Sequence, residues 1–216
     1  NSFHCDVTGL LNADGKNNVL AVRLENRPQS SRWYPGAGLY RNVHLVTTER
    51  VHVPVWGTQL TTPHVSAEYA SVRLRTTIRN AGDADVRIST DIIAPDGKIV
   101  ARKDNSRKIN HGQPFEQNFL INAPSLWSPE TPYLYKAVSK IYVDGKQTDE
   151  YTTRFGIRSI EIIADKGFFL NGKHRKFQGV CNHHDLGPLG AAVNVAALRR
   201  QLTLLKDMGC DAVRTS

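Results

Sequence analysis

The sequence predicts a mainly β fold: an immunoglobulin-like β-sandwich, preceded by part of another β-domain and followed by the first βαβ unit of a parallel α/β structure. Three observations predict it. Apolar and polar residues alternate along short segments between residues 51 and 155, which is the period-two pattern of half-buried strands. Turn-forming residues separate these segments. After residue 194, apolar residues recur with helical spacing instead.

Two short segments near the N-terminus have the character of strands. Residues 19–25 alternate, with Leu20, Val22 and Leu24 on one face, and residues 43–46 form a second apolar segment. A glycine-rich turn with aromatic residues, 32–41, separates them. Two strands alone are too few to form a stable domain. We therefore expect this region to be the end of a β-domain.

In the middle of the chain, the alternation of apolar and polar residues predicts about seven short strands and no helix, which is the pattern of an immunoglobulin-like sandwich. Two turns are marked, one by the sequence PDG at residues 95–97 and one by Asp144-Gly145. An Asp-Gly dipeptide between alternating segments is among the strongest short hairpin signals. The predicted core includes Val72, Leu74, Ile78 and Trp127.

The pattern changes near residue 157. A hairpin turn is predicted at residues 168–173 and a brief strand at residues 176–181. Asn194 can cap a helix that ends before Gly209, and a new strand begins after it. The helix carries one apolar stripe, which should face the two strands: Val195, Leu198, Leu202, Leu205 and Met208. Strand, loop, helix and strand make the opening unit of a parallel α/β structure.

The charge balance is basic, with a formal net charge of +8. Such a balance can indicate a nucleic-acid partner. Here the basic residues are scattered, and Arg73, Arg75 and Arg79 occupy alternate positions of one segment, as on the polar face of a half-buried sheet. No apolar run reaches the roughly 18 residues that a membrane span needs. We therefore expect neither a nucleic-acid nor a membrane partner.

Cysteine usage is sparse. Cys5, Cys181 and Cys210 form an odd number and have no short metal-binding spacing. The sequence therefore predicts no disulfide framework. Cys210, after a glycine in an apolar segment, is best interpreted as a small core residue.

Five short blocks carry a family resemblance. In chain order they are residues 32–43 (RWYPGAGLYRNV), 126–135 (LWSPETPYLY), 154–158 (RFGIR), 169–183 (FLNGKHRKFQGVCNH) and 209–216 (GCDAVRTS). They resemble, in the same order, blocks of glycoside hydrolase family 2, of the β-galactosidase/β-glucuronidase type. One block alone is a weak signal, but the ordered set spans nearly the whole chain.

The resemblance implies three domains. Residues 1–49 would be the C-terminal part of a jelly-roll sugar-binding domain, residues 50–156 the immunoglobulin-like sandwich, and residues 157–216 the N-terminal part of a (β/α)8 TIM barrel. Such a barrel needs about eight parallel strands, and two are predicted here.

The resemblance also implies site residues. It places His183 among the substrate-contacting residues and Arg214 beside the active site, with His184 and Asp185 as further candidates. In a parallel barrel, the C-terminal ends of the strands and the loops after them build the active site. Sugars need several donors and acceptors that converge at one place.

Structural interpretations stay open for these residues. A loop histidine is often only solvated, and an arginine on a strand is often a structural ion-pair partner. His183, His184 and Asp185 could also suggest a metal site, but adjacent histidines point apart and no third ligand is evident. We therefore expect no metal and no cofactor.

The carboxylates needed for hydrolysis are not evident. A retaining glycosidase uses two carboxyl groups about 5 Å apart, which the family supplies from glutamates on later barrel strands. The last glutamate here is Glu161, before the predicted barrel, while Asp207 lies on the helix and Asp211 at a strand start. We expect no catalytic residue in this chain and interpret it as a fragment cut before its catalytic glutamates.

The predicted parent protein is a retaining, exo-acting β-galactosidase that acts on terminal β-galactosides. Two alternatives stay open: a β-glucuronidase of the same family, and a non-catalytic carbohydrate-binding or interaction module, since a sandwich supports many functions. The expected partner is a carbohydrate, and a homo-oligomer is an open alternative. A periplasmic or secreted location is expected from the family alone.

Overall fold

The computed structural model describes residues 2–12, 14–25, 27, 29, 38–39, 41–79, 82, 84–108, 113–183, 186–190, 192 and 194–215. The chain divides into two compact units. One is Val46–Gly179, and the other combines Asn1–Leu45 with Val180–Ser216. In the described part of the chain, no helix has the length and apolar character that crossing a membrane requires.

Seven strands of the unit Val46–Gly179 form two antiparallel sheets, as the sequence predicts. One sheet has the order β1-β2-β5 and the other the order β4-β3-β6-β7. The strands are β1 (Thr58–Val65), β2 (Tyr69–Thr76), β3 (Asp85–Ile93), β4 (Ile99–Lys108), β5 (Phe115–Asn122), β6 (Tyr135–Val143) and β7 (Lys146–Phe155). In a constant-type immunoglobulin domain, the fourth strand joins the sheet of the first, second and fifth strands. Here β4 pairs with β3 instead, so that sheet has three strands and the other has four.

Both turns that the sequence marks are present. Asp144 and Gly145 join β6 to β7 with φ of 50° and 78°, the two positive values of a type I′ hairpin turn. Gly97, with φ of 88°, lies in the turn between β3 and β4, where its N–H donates to the Ala94 carbonyl at 2.9 Å. The short-range signals therefore identify the two hairpins of the four-stranded sheet correctly.

Alternate residues of the strands point into the core. Val72, Leu74 and Ile78 are buried, as predicted, while Arg73 and Arg75 lie on the exposed face of β2. Trp127 departs from the prediction, because it is only half-buried. It lies between β5 and β6 rather than on a strand, and the Arg158 guanidinium carbon stands 4.9 Å from its ring centre.

A layer of polar side chains crosses the middle of the core. Thr90, Gln117 and Ser139 are at most 1% exposed. The Thr90 hydroxyl donates to Gln117 Oε1 at 2.6 Å and lies 2.9 Å from Ser139 Oγ. Gln117 Nε2 donates to the Lys103 carbonyl and to Asn105 Oδ1, both at 3.1 Å. These bonds offset the cost of burying polar atoms, and the layer separates two apolar clusters.

The N-terminal segments differ from the prediction. Residues 19–25 and 43–46 form no strand, and Val19 and Leu20 are 90% and 73% exposed. A strand forms only where a neighbouring segment pairs with its backbone, and the described residues before Val51 form no strand that could provide such a partner. A short 3-10 turn lies at Thr8–Leu10. Most of the glycine-rich turn at 32–41 lies outside the described residues.

A small three-stranded sheet follows the sandwich. It consists of β8 (Ile160–Ile163), β9 (Gly167–Leu170) and β10 (Lys173–His174), in the order β10-β9-β8. Asn171 and Gly172, with φ of 51° and 73°, form the two-residue turn between β9 and β10. The hairpin predicted at residues 168–173 is therefore confirmed.

Asn171 connects this small sheet to the sandwich. Its side-chain amide donates to the Trp127 carbonyl at 3.0 Å, and its Oδ1 accepts the Ser159 N–H at 3.0 Å. Trp127 in turn donates its N–H to the Ile157 carbonyl at 2.8 Å. A Cβ on Gly156 would lie 3.0 Å from the Trp127 side chain, so any larger residue there would push the Trp127 side chain aside by a few tenths of an ångström.

An ion pair supports the same junction. Arg175 donates to both carboxylate oxygens of Glu130, at 2.7 and 3.2 Å. The hydrogen bonds from Arg175 lower the pKa of Glu130 from 4.5 to about 2. A bidentate pair of this kind combines charge with fixed geometry.

We expect Leu74→Ala to destabilise the sandwich strongly, because Leu74 is fully buried between the two sheets. Removing such a side chain costs about 2–5 kcal/mol of unfolding free energy. Leu120→Ala is the matched control, since Leu120 is 57% exposed on neighbouring strand β5 and should change stability by about 0.5 kcal/mol or less. Urea unfolding followed by circular dichroism measures both, and similar losses would contradict the core assignment.

The Glu130–Arg175 pair predicts a pH-dependent contribution to stability. Because the folded-state pKa of Glu130 is about 2 and its ordinary value 4.5, the contribution is fully present above pH 4.5 and is lost as the pH falls towards 2. We expect the stability of Glu130→Gln to fall less steeply than wild type over this window. Urea midpoints measured from pH 7 to pH 3 test this. In an Arg175→Met background, the pH effect of Glu130→Gln should shrink, because Arg175 is the largest of several causes of the lowered pKa; an unchanged difference would exclude the pair as its main cause.

Candidate active site

The candidate site is built from a strand–helix–strand segment. Strand β11 (Gly179–Asn182) is followed by a 3-10 turn at Gly187–Leu189, helix α1 (Val195–Asp207) and strand β12 (Ala212–Thr215). Strands β11 and β12 pair in a two-stranded sheet. The predicted order of elements is confirmed, although β11 begins three residues later than the predicted strand at 176–181.

Helix α1 begins and ends as the sequence predicts. The Asn194 side chain accepts the Ala197 N–H at 3.0 Å, which satisfies one of the free N–H groups of the first turn. At the other end, the N–H groups of Gly209 and Cys210 each donate at 2.9 Å to carbonyls of the last turn. With Gly209 at φ of 96°, this is the Schellman arrangement, and it turns the chain towards β12.

The apolar stripe of α1 is only partly covered. Leu198 and Leu205 are half-buried, whereas Leu202 is 44% exposed and Met208 67% exposed. The prediction that the stripe faces the strands therefore holds for part of it at most. No residue of the helix is fully buried within the described chain.

The two described candidates lie on or beside paired strands. His183 directly follows β11, Arg214 is the third residue of β12, and both are exposed. The pairing of β11 with β12 therefore brings together the strands that carry them. An imidazole and a guanidinium can both hydrogen-bond sugar hydroxyls. His184 and Asp185 lie outside the described residues.

Carboxylates occupy other positions in this segment. Asp207 ends helix α1 and Asp211 precedes β12, so both lie ahead of the strand whose later part carries Arg214. The sequence contains no glutamate after Glu161. His183 and Arg214 are therefore two described side chains at this end of the paired strands that can bind a polar ligand.

Metal-binding side chains are dispersed. Across the described residues, no group of three or more His, Cys, Asp or Glu side chains could hold a metal ion. Cys181 and Cys210 are both free thiols, exposed and half-buried respectively.

The residues that connect the hairpin to the sandwich carry no sequence pattern that predicts this role. Asn171 looks like an ordinary turn residue, although its side chain bonds to the Trp127 and Ser159 backbones. The Glu130–Arg175 pair joins residues 45 positions apart. No local pattern reports a contact at such a separation. The only available signal was that these residues lie in or near the blocks of the family resemblance.

Two family models match the chain. Residues 53–158 match the model for glycosyl hydrolases family 2, and residues 161–216 match the model for the TIM barrel domain of glycosyl hydrolases family 2. The two matches cover the sandwich and the segment that contains β11, α1 and β12.

Curated relatives match along nearly the whole chain. A β-galactosidase of Bacteroides ovatus is 44% identical over 220 residues, covering 100% of this chain and 26% of the relative. A β-glucuronidase of Bacteroides fragilis is 30% identical over 230 residues, covering 99% of this chain and 32% of the relative. The chain therefore spans about a quarter to a third of the length of these relatives.

Solved structures show the same architecture. A family 2 glycosyl hydrolase of Bacteroides cellulosilyticus superposes with a TM-score of 0.73 at 37% identity, over 78% of this chain and 22% of that one. A β-glycosidase of Bacteroides vulgatus gives a TM-score of 0.75 at 34% identity, over 82% of this chain and 22% of that one.

Proposed function

This chain belongs to glycosyl hydrolases family 2, and we propose that it forms part of a retaining, exo-acting glycoside hydrolase that removes terminal β-galactosyl residues. Its similarity along the whole chain to a β-galactosidase supports this substrate. Members of this family act on carbohydrates, so the proposed partner is a sugar. We also propose the division into a jelly-roll part at 1–49, the sandwich at 50–156 and the barrel part at 157–216.

The position of His183 and Arg214 carries the proposal. Both lie at or just after the later residues of paired strands, in the segment that matches the family's TIM barrel domain. In a TIM barrel, this end of the strands forms the active site. We assign His183 and Arg214 to substrate binding, together with His184 and Asp185 on the grounds of chain position.

The reaction requires more than these residues supply. Retention needs one carboxylate as nucleophile and one carboxyl group as acid and base, about 5–5.5 Å apart. The sequence places no glutamate beyond Glu161. We therefore assign this chain the scaffold and part of the sugar-binding site, without the catalytic pair.

β-Glucuronide hydrolysis is the second candidate. Relatives named β-glucuronidase match the chain as well, and Arg214 offers a guanidinium that could pair with a uronate carboxylate. Comparing kcat/KM of the whole protein for the 4-nitrophenyl β-galactoside and the β-glucuronide distinguishes the two substrates. A whole protein inactive on both would instead favour a non-catalytic carbohydrate-binding or interaction module.

We expect the chain of 216 residues by itself to show no hydrolysis of a chromogenic β-galactoside or β-glucuronide above background. The proton donor and the second carboxylate that the reaction needs would be missing. As a control, the chain is also purified from a host that lacks endogenous β-galactosidase, so that a contaminating host enzyme cannot account for turnover of the β-galactoside. Turnover that follows the purified chain through gel filtration would contradict the assignment of catalysis outside it.

In the whole protein, we expect His183→Ala to lower kcat/KM by about tenfold to one hundredfold, because hydrogen bonds to the sugar would be lost. Stability should change little, since an exposed residue after a strand makes few core contacts. His174→Ala is the matched control: His174 is also exposed but lies on β10, in the other compact unit. Equal kinetics for His183→Ala and wild type would remove His183 from the site and leave the family assignment intact.

A further inference from the structure

A cleft opens at one end of the sandwich, and none of the residues of the candidate active site lines it. The turn between β3 and β4 forms one side, and the end of β5 with the segment before β6 forms the other. Its volume is about 510 Å³, within the range of small-molecule sites. Apolar residues line part of it, with Ile121 2% exposed and Val100 43% exposed.

The cleft combines an aromatic ring with dispersed polar groups. Tyr133 lines it and is 44% exposed, so part of its ring is open to a ligand. Asp96, Asn122 and Ser125 add a carboxylate, an amide and a hydroxyl. Tyr135 also lines the cleft, and its hydroxyl oxygen accepts the Ser125 N–H at 2.8 Å, so its own proton can be donated onward.

The backbone around the cleft is fixed. Ala123 has φ of 43°, in the left-handed region that is unfavourable for a residue with a Cβ. Its N–H donates to the Glu68 carbonyl at 2.8 Å, which holds that conformation. On the other side, Ala94 donates its N–H to the Lys98 carbonyl at 2.8 Å. Strained residues of this kind concentrate at ligand sites, and fixed walls lower the entropy cost of binding.

We propose that this cleft binds one neutral pyranose ring of a carbohydrate, separately from hydrolysis. The apolar face of the sugar stacks on Tyr133, and its hydroxyls bond to Asp96, Asn122 and the Tyr135 hydroxyl. Aromatic rings combine a large apolar surface with defined geometry, while a carboxylate and an amide offer the acceptors and donors that hydroxyls require.

The charge of the cleft selects between sugar classes. Among the described residues that line it, Asp96 is the charged one, and no lysine or arginine accompanies it. Asp96 is held by Lys98, whose backbone N–H donates at 3.1 Å and whose ammonium lies at 3.0 Å. The cation beside the cleft is therefore already paired with Asp96, and the lining residues offer a uronate carboxylate no other cation to offset the cost of removing it from water. The cleft therefore favours a galactoside over a glucuronide.

Saturation-transfer difference NMR on the 216-residue chain tests the proposal, with methyl β-galactopyranoside and methyl β-glucuronide as probes. We expect ring-proton signals from the galactoside and an apparent affinity at least about fivefold weaker for the glucuronide. Tyr133→Ala should weaken galactoside binding about tenfold or more. Tyr69→Ala is the matched control, because Tyr69 is similarly exposed at 41% and lies outside the cleft. Its binding should equal wild type.

Asp96→Asn provides a second variant that leaves the apolar contacts in place. It should narrow the preference for galactoside over glucuronide, since Lys98 would no longer be paired with a carboxylate of the protein and could bind the uronate carboxylate instead. Equal binding by Tyr133→Ala and wild type, or equal binding of both sugars by wild type, would overturn the proposal. The readout is binding at this cleft, identified by Tyr133→Ala, and not turnover, so a failure here is distinct from a failure of the proposed hydrolytic function.

Discussion

The side chain of Asn171 is the contact on which the junction after the sandwich depends. One amide group satisfies the Trp127 carbonyl and the Ser159 N–H at once, and neither atom lies in a regular sheet ladder. Without it, two part-buried backbone groups would lack these bonds, which is costly away from water. Three of the five blocks that carry the family resemblance, 126–135, 154–158 and 169–183, contribute residues to this junction or to the strands beside it. They lie apart in sequence, but their residues meet here.

The sandwich could be predicted from sequence because its signals are local. Alternation around Leu74 follows from the period of a strand, and Asp144-Gly145 suits a turn in which both residues have positive φ. Residues 19–25 show the same alternation and form no strand in the structure. Alternation reports which face would be buried if a partner strand were present, and it does not report whether that partner exists.

In the candidate site, too, the features that depend on local sequence could be predicted and those that depend on distant contacts could not. The caps of α1 were predictable, since Asn194 and Gly209 have conformational preferences that each residue carries by itself. The placement of His183 and Arg214 on or beside paired strands followed from the order of elements. The bond between Glu130 and Arg175 could not be predicted, because it depends on how the hairpin folds back onto the sandwich.

The buried polar layer has a consequence for how the two sheets select their alignment. Thr90 and Ser139 belong to the four-stranded sheet and Gln117 to the three-stranded sheet, so their bonds cross between the sheets. A purely apolar interior would tolerate small sliding of one sheet over the other, since one contact between apolar side chains can replace another at little cost. Here sliding one sheet over the other by one residue, about 3.4 Å, would carry the Gln117 amide out of hydrogen-bond reach of Thr90 and leave polar groups without these bonds in the dry interior. The layer therefore favours one alignment of the two sheets. It stabilises the core less than aliphatic side chains of the same volume would, but it makes misaligned sandwiches unfavourable.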